Sequence, residues 1–167
     1  MSVRTVLTYP DAALSTVCPP VEAVSADIEA LADDMLETMY DAPGRGLAAP
    51  QIGVALRLFV MDVTWKEGTY APIIFINPRI VGSSDTIVTQ PEGCLSIPGV
   101  SVEVKRPDAV HVQWTDLNGQ PREQTFEGFA AACVQHEIDH LDGVLTLDRV
   151  DAETRARVIQ DYSGAHA

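Results

Sequence analysis

The segment from Gly128 to Leu141 constrains this chain more than any other. It reads Gly-Phe-Ala-Ala-Ala-Cys-Val-Gln-His-Glu-Ile-Asp-His-Leu, with Gly143 just beyond as a stop, and the pattern predicts a helix over about residues 128–141. Phe129, Ala130, Ala131, Cys133 and Val134 make that helix largely apolar, hence buried. Yet the same helix carries His136, Glu137 and His140. Polar groups taken into a core need partners, so the fold has to supply them. Histidines four apart lie on one helical face about a turn from each other. Both imidazoles can therefore grip one metal ion while Glu137 reaches a water at that ion. The rival reading places the two histidines and the glutamate on a solvated face, and the apolar flanks weigh against it.

A catalytic metal site takes at least one further protein ligand. The extended pattern HExxHxxGxxH has its glycine here, Gly143, but Thr146 stands where the third histidine would be, which disfavours a metzincin. Asp142, Asp148, Asp151 and Glu153 leave a downstream carboxylate ligand open, and with it a metalloprotease or another amide hydrolase. Upstream, Glu92-Gly93-Cys94-Leu95-Ser96-Ile97-Pro98-Gly99 offers Cys94 in a conformationally special loop, where a thiol can be presented to a metal and deprotonated by it. One cysteine and two histidines complete a three-ligand site with a position left for water. Taken alone, Cys94 is more often a core residue.

The rest of the chain predicts an α+β fold. Ser25 caps a helix over about 26–40, with Ile28, Leu31, Met35 and Met39 on one buried face. Ala42-Pro43-Gly44-Arg45-Gly46 breaks it with a tight loop. Strands are expected over 55–63, 72–77, 100–105, from Ala109 to Thr115, and over 121–126, with Asn118-Gly119 as a two-residue hairpin between the last two. A short helix over about 152–161 closes the chain. Small antiparallel or mixed sheets packed around the central helix bearing His136 and His140, in a single domain over residues 1–167, follow from this order of elements. Three cysteines (Cys18, Cys94, Cys133) at no framework spacing argue against a disulfide scaffold and for a reducing compartment. The start of the chain reads as neither a signal peptide nor a transit peptide, no apolar run approaches a membrane span, and a cytoplasmic location is expected. A net charge of -13 with no basic stripe argues against direct nucleic-acid binding.

Three segments in order resemble the peptide deformylases. Gly44-Arg45-Gly46-Leu47-Ala48-Ala49-Pro50-Gln51 resembles their first motif, Glu92-Gly93-Cys94-Leu95-Ser96 their second, and Gln135-His136-Glu137-Ile138-Asp139-His140 their third. The resemblance runs from about Tyr9 to Val150. It implies that Cys94, His136 and His140 bind one divalent metal, typically Fe(II), with zinc, nickel or cobalt able to take the same site. It implies that Glu137 is the general base and then the general acid, and that the Gln51 amide and the Leu95 backbone N–H stabilise the oxyanion. The implied activity is removal of the formyl group from N-formylmethionyl peptides, with Gly46 meeting the substrate. The alternatives are a related metal-dependent amidase or peptidase, a deformylase-like enzyme with another N-acyl substrate, and a non-catalytic relative with a structural metal. Glu137 and Gln51 speak against the last, since a structural site needs neither.

Several positions depart from the family pattern. Arg45 stands where many relatives carry a small aliphatic residue lining the methionine side-chain pocket; it either points to solvent or alters substrate preference. Phe129 and Gln90 fall near the same pocket. The basic residue that some relatives place after the second motif is replaced around Val100 and Ser101. Residues 151–167 set Asp151, Glu153 and Asp161 against Arg155 and Arg157, so ribosome docking through a basic C-terminal helix is not expected. Glu92 pairs with Arg106, or Asp139 is that arginine's partner. Cys133 is pocket wall or core; His111, His166 and Cys18 are unconnected to the site.

Overall fold

The computed structural model describes residues 2–165. His166 lies outside them. Helix α1 spans Ala26–Asp41, and the Ser25 hydroxyl accepts the Ile28 N–H at its start. Helix α2 spans Gly128–Leu141 as the pattern predicts, and α3 runs from Ala152 to Ala165, a turn longer than expected.

Strands β1 (Gly46–Ala48), β2 (Leu58–Met61), β3 (Ile73–Ser83), β6 (Ala109–Thr115) and β7 (Pro121–Glu127) form one sheet in the order β1-β2-β3-β6-β7. Strands β4 (Ile87–Cys94) and β5 (Ile97–Pro107) form a separate two-stranded hairpin. Every pairing is antiparallel. Successive residues of β2 face opposite sides. Phe59 and Met61 pack with Phe75, Trp114 and Phe126 against Val134 and Ile138 of α2, while Leu58 and Val60 pack against Met35 and Met39 of α1. Helices thus cover both faces, and α2 lies between the sheet and the β4–β5 hairpin.

The expected strand over 55–63 shortens to β2, and β1 and β4 were not foreseen. β1 lies within the glycine-rich loop, and β4 contains Pro91 and largely exposed side chains, so neither alternates apolar with polar. β3 and β5 extend beyond the expected 72–77 and 100–105 for the same reason: residues 79–83 of β3 are exposed and carry no pattern. The connection between β6 and β7 is not a two-residue turn. It covers residues 116–120, because the Asp116 carboxylate accepts the Asn118 and Gln120 N–H groups and the Arg122 guanidinium, folding a wider loop around itself.

Two backbone positions tie distant segments together. Gly143 (φ +72°) ends α2 in the left-handed region, and a Cβ there would meet the Ser15 backbone at 2.7 Å. Arg57 fastens the same end, donating to the carbonyls of Leu141 (3.0 Å) and Cys18 (3.3 Å) and pairing with Asp142 at 2.9 Å. Cations at a helix C-terminus are favoured by its dipole, so Arg57 holds the turn that carries His140. Asn77, at φ +51°, breaks the register of β3 and clasps Val21: its Oδ1 accepts the Val21 N–H at 2.8 Å and its Nδ2 donates to the Val21 carbonyl at 2.9 Å. Loss of two such bonds, with left-handed strain added, sets the expected cost of Asn77→Ala at about 2–4 kcal/mol. Asn77→Gly keeps the backbone freedom and should cost less. Urea denaturation of both variants checks this; equal losses would remove backbone strain from the account.

Candidate metal centre

The end of β4 and one face of α2 converge beneath a cavity of about 670 Å³. Cys94 is the last residue of β4, and its Sγ lies 3.4 Å from His140 Nε2. Ligand atoms of Cys94, His136 and His140 all lie within 4.8 Å of one another. The four-residue spacing on α2 brings the two rings to 5.0 Å between centroids. Among the described residues this is the group of histidine, cysteine and carboxylate side chains that could hold an ion.

The downstream carboxylates are engaged elsewhere. Asp142 pairs with Arg57, Asp148 accepts the Leu145 N–H, and Asp151 accepts the Thr154 N–H. They form no part of the cluster, which removes the ligand scheme left open for a metalloprotease.

A buried network sets the candidate ligands in place. Arg106, 5% exposed, donates through Nε and Nη2 to Glu92 (2.7 and 3.0 Å) and through Nη1 to Asp139 at 2.9 Å. The two partners expected as alternatives for this arginine are therefore held together. Glu92 also receives His136 Nδ1 at 3.0 Å, which leaves Nε2 of that ring for the Cys94 side. Arg149, which sequence reasoning did not single out, closes the outer side with bonds of 3.0 and 2.6 Å to Asp139.

Burial acts on each group according to its partners. It opposes charge on Glu92, yet His136 and Arg106 outweigh it and hold the carboxyl down at about 2. It opposes charge on His136 as well, where Cys94 and Glu92 together raise the imidazole well above its ordinary value. On His140 burial, reinforced by His136 and Arg106, lowers the imidazole well below its ordinary value and keeps it neutral, the form in which imidazole binds a metal. In the metal-free protein Glu137 is pushed up to about 7, first by burial and further by Glu92 and Asp139 against the opposing pull of His136 and Arg106. Its Oε1 is buried without a partner, as is Nδ1 of His140. A thiol, two imidazoles and a nearby partnerless carboxylate fit a three-ligand catalytic ion with an open position.

The remaining expected residues frame this cluster. Gln51 sits in the 3-10 turn Ala49–Ile52; its Oε1 accepts the Ala48 N–H at 2.9 Å and its Nε2 donates to Ser96 Oγ at 3.0 Å, with Cys94 Sγ at 3.8 Å. The amide is thus oriented, with Nε2 toward the cluster. Ser96 is fully buried and fixes that orientation, a role its place in the motif did not disclose. Leu95 lies in the turn between β4 and β5. A Cβ on Gly46 would lie 2.6 Å from Glu137 Oε2 and 3.0 Å from Cys133 Sγ, so β1 approaches the carboxylate as only glycine permits. Cys133 is wall: burial raises its thiol well above the ordinary value, and its Sγ faces the Arg45 carbonyl at 3.8 Å. Arg45, Gln90 and Phe129 all line the cavity. His111 is on the far sheet with Thr125 and Glu123, and Cys18 is buried apart.

The chain is similar to known proteins over nearly its whole length. The model of the family described as polypeptide deformylase matches residues 3–156. Similar proteins include a peptide deformylase of Afipia carboxidovorans, 49% identical over 99% of this chain and 96% of its own length, and one of Rhizobium meliloti, 49% identical over 99% and 95%. Similar solved structures include a peptide deformylase from Legionella pneumophila (TM-score 0.92, 41% identity, 99% and 96% of the two chains). Another is the Ehrlichia chaffeensis enzyme in complex with actinonin (TM-score 0.93, 41%, 99% and 98%).

Partners that orient a ligating histidine typically matter tenfold to a hundredfold in metal affinity. Glu92→Ala should lower affinity by about that factor, and Glu92→Gln, which keeps an acceptor for His136 Nδ1, by less. Chelator competition measures both. An affinity unchanged in the alanine variant would detach Glu92 from ligand positioning.

Proposed function

This chain belongs to the polypeptide deformylase family, and from that membership we infer that it is a peptide deformylase, an enzyme that hydrolyses the N-formyl group of N-terminal formyl-methionine and releases formate. The observation that carries the reading at the level of residues is the meeting of Cys94, His136 and His140 beside the buried, partnerless oxygen of Glu137, at the floor of a cavity large enough for a peptide end.

In the proposed mechanism Cys94, His136 and His140 hold one divalent ion, Fe(II) in the cell, though thiolate and imidazole also suit zinc, nickel or cobalt. When bound, the ion acidifies water and polarises the formyl oxygen. Glu137 takes the proton of the attacking water and then gives it to the departing nitrogen as the carbon–nitrogen bond breaks, leaving formate and a free amine. A carboxyl raised by burial suits a group that both accepts and donates near neutral pH. Gln51 Nε2, aimed at the cluster by Ser96 and Ala48, and the Leu95 backbone N–H receive the charge that develops on the formyl oxygen. Gly46 lets the edge of β1 run beside the substrate, and Arg45 borders the same cavity. Burial of Glu137 against Gly46 and Cys133 strengthens the interactions it makes.

The substrate in this reading is a formylated peptide met in the cytoplasm, with no direct nucleic-acid contact. Among the described residues no helix is long and apolar enough to cross a membrane. On α3, Glu153 and Asp161 offset Arg155 and Arg157, which offers no basic face for ribosomal RNA.

Formate release from formyl-Met-Ala-Ser by anaerobically purified protein, beside the acetylated peptide, tests the activity. Glu137→Ala should retain metal and lose about 10²–10⁴-fold in turnover, whereas Cys94→Ala should lose metal as well. Turnover of the acetyl peptide at a comparable rate would redirect the reading to another N-acyl substrate, and full metal content in the cysteine variant would overturn its place as a ligand.

A further inference from the structure

We propose that Arg45 and Lys66 make this enzyme select formyl peptides by charge, favouring an acidic residue at the second or third position of the substrate and disfavouring a basic one. The inference rests on the deformylase reading of the site and concerns which peptides that site prefers.

Apart from the candidate ligand His136, the charged side chains lining the cavity are Arg45, Lys66, Glu92 and Glu137. Both carboxylates belong to the floor: Glu92 is bound by Arg106 and His136, and Glu137 is buried. The mouth is therefore bordered by two cations, although the chain as a whole carries a net charge of -13. The opposite edge, at Val100 and Ser101, contributes no charge. A peptide whose formyl end reaches the floor has to pass its following residues through this mouth.

Local structure places the two cations there. Trp65, Lys66 and Glu67 form a 3-10 turn after β2, and the Trp65 indole N–H donates to the Gly44 carbonyl at 2.8 Å, fastening that turn to the loop before β1. Asp62, buried, accepts Tyr40 Oη at 2.7 Å and the Ala71 N–H at 3.0 Å, and its own N–H donates to the Arg45 carbonyl at 2.9 Å. These bonds fasten the base of the turn, and Lys66 within it lines the cavity. The Lys66 ammonium lies 5.8 Å from the Trp65 ring centre, exposed and without an ion-pair partner among the described residues.

Arg45 has a single ion-pair partner among the described residues. Its guanidinium lies over the Phe129 ring at 5.2 Å and makes one contact of 3.0 Å with Glu67, a carboxylate 65% exposed. Its Nε has no hydrogen-bond partner. Glu67 is mostly exposed and Arg45 29% exposed, so the pair is partly screened by solvent and a substrate carboxylate competes with Glu67. Glu67 offsets one of the two positive charges, which keeps the selection modest: about threefold to tenfold between acidic and basic peptides at low salt.

Binding of C-terminally amidated formyl peptides to metal-loaded Glu137→Ala protein tests this without relying on turnover. Three peptides differing only in Asp, Gln or Lys at position two, and three more differing at position three, are compared by titration calorimetry. Affinity should fall in the order Asp, Gln, Lys at one position or both, with the spread collapsing in about 1 M salt. Adding Lys66→Gln should roughly halve the Asp-to-Lys ratio, adding Arg45→Gln as well should bring it near one, and Glu67→Gln should raise it by freeing Arg45. Lys66 is exposed, so its variant folds whatever Arg45 does for the loop. Equal affinities at both positions, a reversed order, or a ratio unmoved by the Lys66 variant would overturn the proposal. Formate release from the neutral peptide by the unaltered enzyme reports separately on the deformylase reading.

Discussion

One buried arginine sets the distance on which the site depends. Arg106 belongs to β5, yet its guanidinium binds Glu92 of β4 on one side and Asp139 of α2 on the other. A cation 5% exposed is unfavourable without anions placed around it, by several kcal/mol, so the hairpin and the helix adopt the one separation at which both carboxylates reach it. That separation puts Cys94, two residues beyond Glu92, opposite His136 and His140, which flank Asp139. The same carboxylate that neutralises Arg106 takes Nδ1 of His136 and fixes which ring nitrogen faces the cluster. Replacing such a network by apolar residues is often neutral or favourable for stability. Its value here is positional, because an apolar core would hold the hairpin against the helix without specifying where the sulfur meets the imidazoles.

What the sequence disclosed follows from which interactions are local. Helices α1 and α2 and strand β6 carry their own periodicity and cap signals, and they sit within a residue of where those signals place them. β4, β1 and the outer half of β3 are strands only because of what they pair with; their side chains are exposed or interrupted by proline and glycine, so no alternation marks them. The site divides in the same way. His136 and His140 were legible because a helical turn converts a spacing of four into proximity, and Cys94 entered through the segment around it. The choice between Glu92 and Asp139 as the partner of Arg106 stayed open, since pairing across a fold leaves no trace in spacing, and the structure uses both. Ser96 and the turn at Trp65 were not visible for that reason: each acts on a residue far from it in the chain.

A strand edge close to the carboxylate completes the enclosure. β1 reaches Glu137 because Gly46 has no side chain, Cys133 lies against the same position, and the carboxylate is buried. β1 is only three residues long and pairs with β2 alone, so its position relies on the loop before it. That loop is gripped by Asp62 and Trp65, which explains why a segment rich in glycine and proline keeps a fixed path beside the reacting groups.

Desolvation is common to the four ionisable groups at the floor, and their neighbours decide its outcome. Glu92 and His136 face each other and Arg106 or Cys94, so attraction overrides burial and both are held charged in the metal-free protein. At Glu137 and His140 burial prevails over the neighbours, raising the carboxyl to about 7 and lowering the imidazole well below its ordinary value. An imidazole binds a metal only when unprotonated, so in the proposed reading His136 would give up its proton as the ion binds, whereas the proposed proton carrier Glu137 needs a carboxyl with no permanent partner. Glu92 and Glu137 sit on either side of His136 with the same functional group. The arginine beside one and the glycine beside the other make the first a fixed anion and the second a group able to exchange its proton.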